Sequence, residues 1–369
     1  MQKSLIFRVD ASTKIGTGHV YRCLTLANKL KFFFKVYFVC RETNGNLISF
    51  IKNKSYDIFV LPKSDLSSKE FNENVECNEH TQWLEERWDI DAKLTVDILK
   101  NIKNVEWLIV DHYSIDQKWE NLAKKFSSKL MVIDDLNDRK HTCNILLDPN
   151  YSKTANDYLE LVPNNCKLLI GSKYNIVRDE FIQLRCNSLK RRLDPKLSRV
   201  LIFMGGADEK NVTSKILRII SDFPLFSNIK IDVIVGISSP WFDDIMKLAK
   251  KLQHEIVVLS GVENLADFFV NADLAILAAG GTFWEACYMG LPSILVSTAE
   301  NQSKLFGYIS NKNLPILSNE DRAFKIKLNT FLKEMIINNE FLESVSKNMQ
   351  EIISEDGSNL IVNEICQHS

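Results

Sequence analysis

The chain alternates short runs of β-branched and other apolar residues with longer stretches whose apolar positions recur at helical spacing, the pattern of parallel α/β sheets. In the first half this pattern predicts strands over Leu5–Asp10, Lys35–Cys40, Asp57–Leu61, Trp107–Asp111, Leu130–Asp134 and Asn144–Asp148. Helices are expected over His19–Phe32, about Thr81–Lys100 and Asp116–Ser127. A polar, basic segment, Cys186–Ser198, then separates two such alternations and reads as a linker. The second half restarts with strand Arg199–Met204, helix Asn211–Ser221, strand Lys230–Val235 and helix Pro240–Leu252. Strand Glu255–Leu259, helix Asn264–Val270, strand Asp273–Leu277, helix Phe283–Met289 and strand Pro292–Val296 follow. Beyond about Glu320 only helical pattern remains. The expectation is therefore two Rossmann-like doubly wound α/β domains, 1–190 and 198–345, facing across a cleft, with a helical tail, 346–369, able to cross back to the first. Folds of this kind place ligands outside the carboxyl ends of their strands.

Composition narrows the function classes. Lys plus Arg total 46 against 47 Asp plus Glu, a formal charge of −1, which argues against a dedicated nucleic-acid binder. Apolar residues at 45% and charged residues at 25% are the ordinary balance of a globular protein. No run approaches the ~18 apolar residues of a membrane span, and Met1–Val9 carries no signal-peptide pattern, so a cytoplasmic location is expected. The eight cysteines show no C-x-x-C pair and no metal-ligand spacing, and read as small core residues in a reducing compartment. Neither a metal nor a cofactor is expected. The polar stretch Pro62–His80 is an exposed loop or a lid, and Phe32–Phe34 is a helix end running into a buried strand.

Three glycine-bearing turns follow predicted strands. The first strand runs into Asp10-Ala11-Ser12-Thr13-Lys14-Ile15-Gly16-Thr17-Gly18-His19, which puts His19 where a helix begins. A helix N-terminus disfavours imidazolium, which favours a neutral ring able to accept a proton. The alternative is a histidine that only hydrogen-bonds its own loop. Met204-Gly205-Gly206-Ala207-Asp208 and Ala279-Gly280-Gly281-Thr282 make two further strand-to-helix turns, suited to presenting backbone amides to a diphosphate. Glu285 stands three residues after Thr282, where it either accepts from ribose hydroxyls or closes a capping box with Thr282. Polar clusters also end other strands: Asp111-His112-Tyr113, Asp134-Asp135 and Asp148-Pro149-Asn150-Tyr151, with Asn301-Gln302 after the last strand. Of Asp134 and Asp135, one is expected to hold loops and the other to face solvent or the cleft. Histidines 80, 112, 141, 254 and 368 have no partner at ligand or triad spacing.

Taken in order, these segments resemble the PseG family, the UDP-sugar hydrolases of pseudaminic acid biosynthesis, related to MurG-type glycosyltransferases of GT-B fold. The resemblance rests on Arg8-x-Asp10, Ile15-Gly16-x-Gly18-His19, Arg22-Cys23-Leu24, Asp111-His112-Tyr113 and Asp134-Asp135 in the first half. It continues through Leu147–Tyr151, Tyr174-x-x-x-Arg178-x-Glu180-Phe181, Met204-Gly205-Gly206-x-Asp208, Gly280-Gly281-Thr282, Glu285-Ala286 and Asn301-Gln302. It implies hydrolysis of UDP-2,4-diacetamido-2,4,6-trideoxy-β-L-altropyranose to UDP and free sugar, with inversion and with His19 as the base that activates water. It further implies that Glu285 holds the ribose and that Gln302 lies near the sugar or diphosphate. Arg8, Asp10, Tyr113, Asn150 and Arg178 stand as sugar contacts or as residues that fix the loops. Gly16, Gly18, Gly205, Gly206, Gly281, Thr282 and Asn301 complete the substrate set, and Trp284 is expected to pack its helix. The alternatives are a GT-B glycosyltransferase using a UDP-sugar donor, a hydrolysing 2-epimerase and a non-catalytic sugar-nucleotide binder.

Overall fold

The computed structural model describes residues 2–64, 80–151, 153–226, 228–237, 239–262, 264–297, 309 and 312–369. Its chain divides into two compact units, Met1–Ile176 with Gly357–Ser369, and Val177–Asp356.

Unit 1 is built on β1 (Ser4–Val9), β2 (Lys35–Arg41), β3 (Asp57–Leu61), β4 (Val105–Asp111), β5 (Lys129–Ile133), β6 (Ile145–Asp148) and β7 (Lys167–Ile170). The strands are parallel, in the order β3-β2-β1-β4-β5-β6-β7. Every residue of β1 is buried, which is why it reads as a continuous apolar run rather than an alternation. The pleat still sorts its side chains between two cores. Leu5, Phe7 and Val9 pack with α1 (Gly18–Leu30) and α12 (Ser358–Gln367), whereas Ile6 packs with α3 (Trp88–Asn101) and α4 (Gln117–Ala123). A short α2 (Ile48–Asn53) joins β2 to β3. The chain returns through α3 to place β4 beside β1, so the strand order reverses between β1 and β4.

Unit 2 opens with α5 (Asp179–Arg191) and then lays down β8 (Arg199–Phe203), β9 (Lys230–Val235), β10 (Ile256–Ser260), β11 (Leu274–Ala278), β12 (Ser293–Ser297) and β13 (Ile316–Ser318). These too are parallel, in the order β10-β9-β8-β11-β12-β13, with the reversal between β8 and β11. Helices α6 (Val212–Ser221), α7 (Phe242–Ala249), α8 (Ala266–Asn271), α9 (Gly281–Met289), α10 (Phe324–Ile337) and α11 (Asn339–Ile352) complete its described elements.

Three expectations change. The basic stretch Cys186–Ser198 is no linker: its first half finishes α5, Arg192 donates to the carbonyls of Phe269 and Ala272, and Ser198 binds Asp273. The units part instead at Ile176 and again at Asp356, because α5 buries Phe181 in the second core and α12 buries Ile361, Val362 and Ile365 in the first. Of the phenylalanine run only Phe34 enters the core; Phe32 is 77% and Phe33 57% exposed. No described helix is long and apolar enough to cross a membrane. Of the Pro62–His80 stretch, residues 65–79 lie outside the described residues.

Candidate active site

In unit 1 the chemistry gathers where the strand order reverses. Val9, the last residue of β1, pairs in register with Asp111, the last of β4. The connection from Asp10 to Gly18 folds upon itself. Ser12 Oγ accepts from the amides of Lys14 and Ile15, its carbonyl accepts from Gly16, and Gly16 takes a φ of +79° that suits glycine. The amides of residues 14–16 are thus occupied, and the loop's effect is to aim the start of α1 at Asp111.

Three residues on one face of α1, at the i, i+3 and i+4 positions, then close on that carboxylate. His19 Nδ1 lies 2.6 Å from Asp111 Oδ1, Arg22 donates from Nη2 to Oδ1 and from Nε to Oδ2 at 2.6 Å each, and Cys23 Sγ donates to Oδ2 at 3.4 Å. Burial by itself would push the Asp111 carboxyl up; Arg22 and then His19 outweigh it and hold it well below the usual carboxylate range. An ionised carboxylate only accepts, so a proton on Nδ1 satisfies the short contact; Arg22 Nη2 lies 3.1 Å from the same nitrogen. Arg22 Nη1 extends to Asp135 at 2.9 Å, and Asp135 also takes the Tyr113 hydroxyl. The Tyr113 ring meets His19 edge-on at 4.5 Å, with His80 and Trp83 beyond it at 5.5 and 5.7 Å. Asp111, Arg22 and Tyr113 thus border His19, which is 7% exposed.

Beneath this lies a buried ionic layer. Arg8 donates to Asp91 from Nη2 at 2.8 Å and sits 2.7 Å from Asp10, while Asp10 accepts from the Arg41 amide and faces His112 at 3.4 Å. Asp91 also accepts from Arg41 and from the Trp119 indole. Arg8 and Asp10, at 0% and 1% exposure, are buried against one another and these partners. Asn150 donates from its side chain to the Asp135 carbonyl and from its amide to Asp148, whose carboxyl burial, and then Asp135, push up to about 7. Asp134 holds loops through Asn137 and Arg139, and Asp135 points toward Arg22. Besides His368, which lies 3.6 Å from Glu364 one helical turn away, two histidines pair with distant carboxylates: His112 faces Asp10, and His141 lies 2.6 Å from Glu120 and 3.6 Å from Asp134. Both pairings join residues far apart in sequence, which spacing does not show.

In unit 2 the two glycine turns also flank the reversal, after β8 and after β11. They are not equivalent. The helix after Gly205-Gly206 is already capped, since Asp208 accepts from the amides of Val212 and Thr213 and Asn211 from that of Ser214. The dipole end expected there for a diphosphate is taken by the chain's own carboxylate. Gly205 holds a φ of +83°, and Gly206 is pressed against Gly236, where an added Cβ would fall 2.1 Å from the Gly206 carbonyl oxygen. At α9 the N-cap is Gly280, and no described side chain caps the helix. No described atom lies within 4 Å of a Cβ placed at Gly280 or Gly281. The Thr282–Glu285 capping box does not form, because Thr282 is already inside the helix. Glu285 instead takes a fork from Arg178, Nε to Oε1 at 2.5 Å and Nη2 to Oε2 at 2.8 Å, which fastens α5 to α9. Trp284 packs against Phe283 and the edge of the core. Asn301 and Gln302 lie outside the described residues.

Sequence reading singled out Asp111 as part of a polar cluster, yet it missed the bond to His19, as well as Asp91, the capping by Asp208 and the close approach at Gly236. The i, i+3, i+4 set of His19, Arg22 and Cys23 was the available signal for a shared acceptor.

Two doubly wound parallel units, with their polar residues at the strand-order reversals, define the GT-B class of α/β protein. Over 99% of both chains the structure matches MurG of Acinetobacter baumannii at a TM-score of 0.65 and 14% identity. It matches UGT2 of Phytolacca americana over the whole of both chains at a TM-score of 0.65 and 12% identity. In sequence the chain is similar to the UDP-2,4-diacetamido-2,4,6-trideoxy-β-L-altropyranose hydrolase of Campylobacter jejuni, 29% identical over 85% of this chain and 98% of the relative. That is the resemblance the motifs carry. It is also 26% identical to an uncharacterized protein of Methanocaldococcus jannaschii over 80% of its own length, and spans 56% of that relative. No family model matches the chain.

Proposed function

We propose that the chain hydrolyses UDP-2,4-diacetamido-2,4,6-trideoxy-β-L-altropyranose to UDP and the free sugar. Water attacks the anomeric carbon with inversion, and His19 is the general base. The observation that carries this reading is the 2.6 Å contact between His19 Nδ1 and Asp111 at the sheet's reversal. With Nδ1–H held by a carboxylate, Nε2 is the nitrogen that takes a proton from water, and the imidazolium formed keeps a neutralising neighbour. Asp111 positions and stabilises; it takes no proton itself.

Unit 2 supplies the remaining requirement. The uncapped start of α9 offers amides and a positive dipole end where negative charge grows on the departing diphosphate. UDP is a good leaving group, so a base without a dedicated acid fits the reaction. Glu285 stays assigned to the ribose, a role it shares with its fork to Arg178. The similarity to the Campylobacter jejuni hydrolase, whose name states this substrate, supports the choice of sugar. The reading assigns no cofactor; its partners are the UDP-sugar and UDP.

Turnover in ¹⁸O-water tests it. Label in the free sugar is the expected outcome. Label in UDP would mean attack at phosphorus, and turnover that waits for an added acceptor would make the protein a transferase.

A further inference from the structure

We infer that Cys143 and Cys166 form an oxidisable dithiol, a modification site at which a peroxide joins the approaches to β6 and β7 through a disulfide. Their sulfurs lie 3.6 Å apart. The backbone around them is fixed: Ile145 pairs in register with Lys167, and the Lys167 amide donates to the Asn144 carbonyl at 2.8 Å. Bond formation asks the sulfurs to approach by roughly 1.5 Å, within reach of side-chain rotation.

The two thiols differ in a way that assigns their roles. Cys143 is 2% exposed, whereas Cys166 is partly open. The contact with Cys143 draws the Cys166 thiol below its ordinary value against the effect of burial, and the Leu146 amide and His141 add to that pull. The same contact, together with burial, pushes Cys143 up. Cys166 is thus the thiolate-prone sulfur and Cys143 the resolving one. Cys166 is itself partly exposed, which gives a small polar oxidant its approach to the attacking sulfur.

The chemistry balances with hydrogen peroxide as oxidant. The Cys166 thiolate attacks one peroxide oxygen, the O–O bond breaks, and a sulfenic acid and hydroxide result. Cys143 sulfur then attacks Cys166 Sγ, the S–O bond breaks, and its thiol proton leaves with the departing oxygen as water. Two thiols lose two electrons in all, and the peroxide becomes two waters. Nothing in this step depends on the proposed hydrolysis, so either reading can fail while the other stands.

The test treats the full chain with hydrogen peroxide and maps peptides by mass spectrometry without reductant. A Cys143–Cys166 linked peptide, lighter by two hydrogens and released by dithiothreitol, is expected. The Cys166 thiol is expected to disappear about tenfold faster than that of buried Cys287. In Cys143→Ser, dimedone should trap the sulfenic acid on Cys166. In Cys166→Ser, whose fold is checked by circular dichroism, Cys143 should remain a thiol at doses that link the wild type. Overoxidation of Cys166 with no link, or oxidation confined to exposed Cys186, overturns the inference.

Discussion

His19 and Asp111 stand 92 positions apart in the chain, yet Nδ1 of one lies 2.6 Å from Oδ1 of the other. Removing the base and spoiling its orientation should therefore have related effects. His19→Ala is expected to lower turnover roughly 10²- to 10⁴-fold. Asp111→Asn, which no longer dictates the tautomer, should fall in the same range. Calorimetry should show UDP affinity little changed in both, because the diphosphate turn belongs to unit 2. Near-normal turnover in His19→Ala would remove the histidine from the mechanism.

Two glycines of unit 2 separate ligand approach from packing. Gly281→Ala meets open space and should leave the melting temperature nearly unchanged while weakening UDP binding. Gly236→Ala drives a Cβ into the Gly206 carbonyl, so it should lower the melting temperature and disturb the turn after β8. A Gly281→Ala protein that binds UDP like the wild type would place the diphosphate elsewhere.

Glu285 and Arg178 form a partly buried fork, and cutting it from either side should cost about 1–3 kcal/mol of stability. The two cuts should differ in binding. Glu285→Gln is expected to weaken UDP as well, whereas Arg178→Gln keeps a carboxylate for the ribose. Equal UDP affinity in Glu285→Gln and wild type would leave Glu285 a purely structural partner of Arg178.

His141 makes unit 1 sensitive to alkali. Burial alone would lower its affinity for a proton, but Glu120 and Asp134 outweigh that and raise it to about 9, above the ordinary 6.5. A raised folded-state value means the stabilisation is complete below about pH 6.5 and is lost as pH climbs through 9. The margin is roughly 3 kcal/mol. Urea midpoints of wild type and His141→Gln should accordingly converge between pH 6 and pH 9. A constant gap would show that the ring keeps one protonation state across that span.

Much of the framework was legible because parallel strands buried on both faces leave uninterrupted apolar runs. Asp57–Leu61 and Lys230–Val235 have the same bounds in the structure as in the pattern. Helix α5 was missed, its second half taken into the supposed linker, because its face toward the second core is narrow and most of its other positions are charged or polar. Strands β7 and β13 were missed since runs of four and three residues are too short to show a period. At the site, the glycine turns and His19 announce themselves through local chemistry. Asp111 as a partner of His19, or Asp91 beneath Arg8, is visible only once the strand order brings distant segments together. The difference between the two unit 2 turns was hidden as well, because a capping aspartate and a ligand-facing turn share the same residue types.

The division of the chain also sets the order in which its parts are finished. Helix α12 supplies Ile361, Val362 and Ile365 to the first core, and Ser369 Oγ accepts from the Trp107 indole. On the ribosome all of Val177–Asp356 is made before that helix emerges. The middle of the sequence can thus acquire its native packing during synthesis, while the beginning waits, lacking one wall, for α12 to arrive.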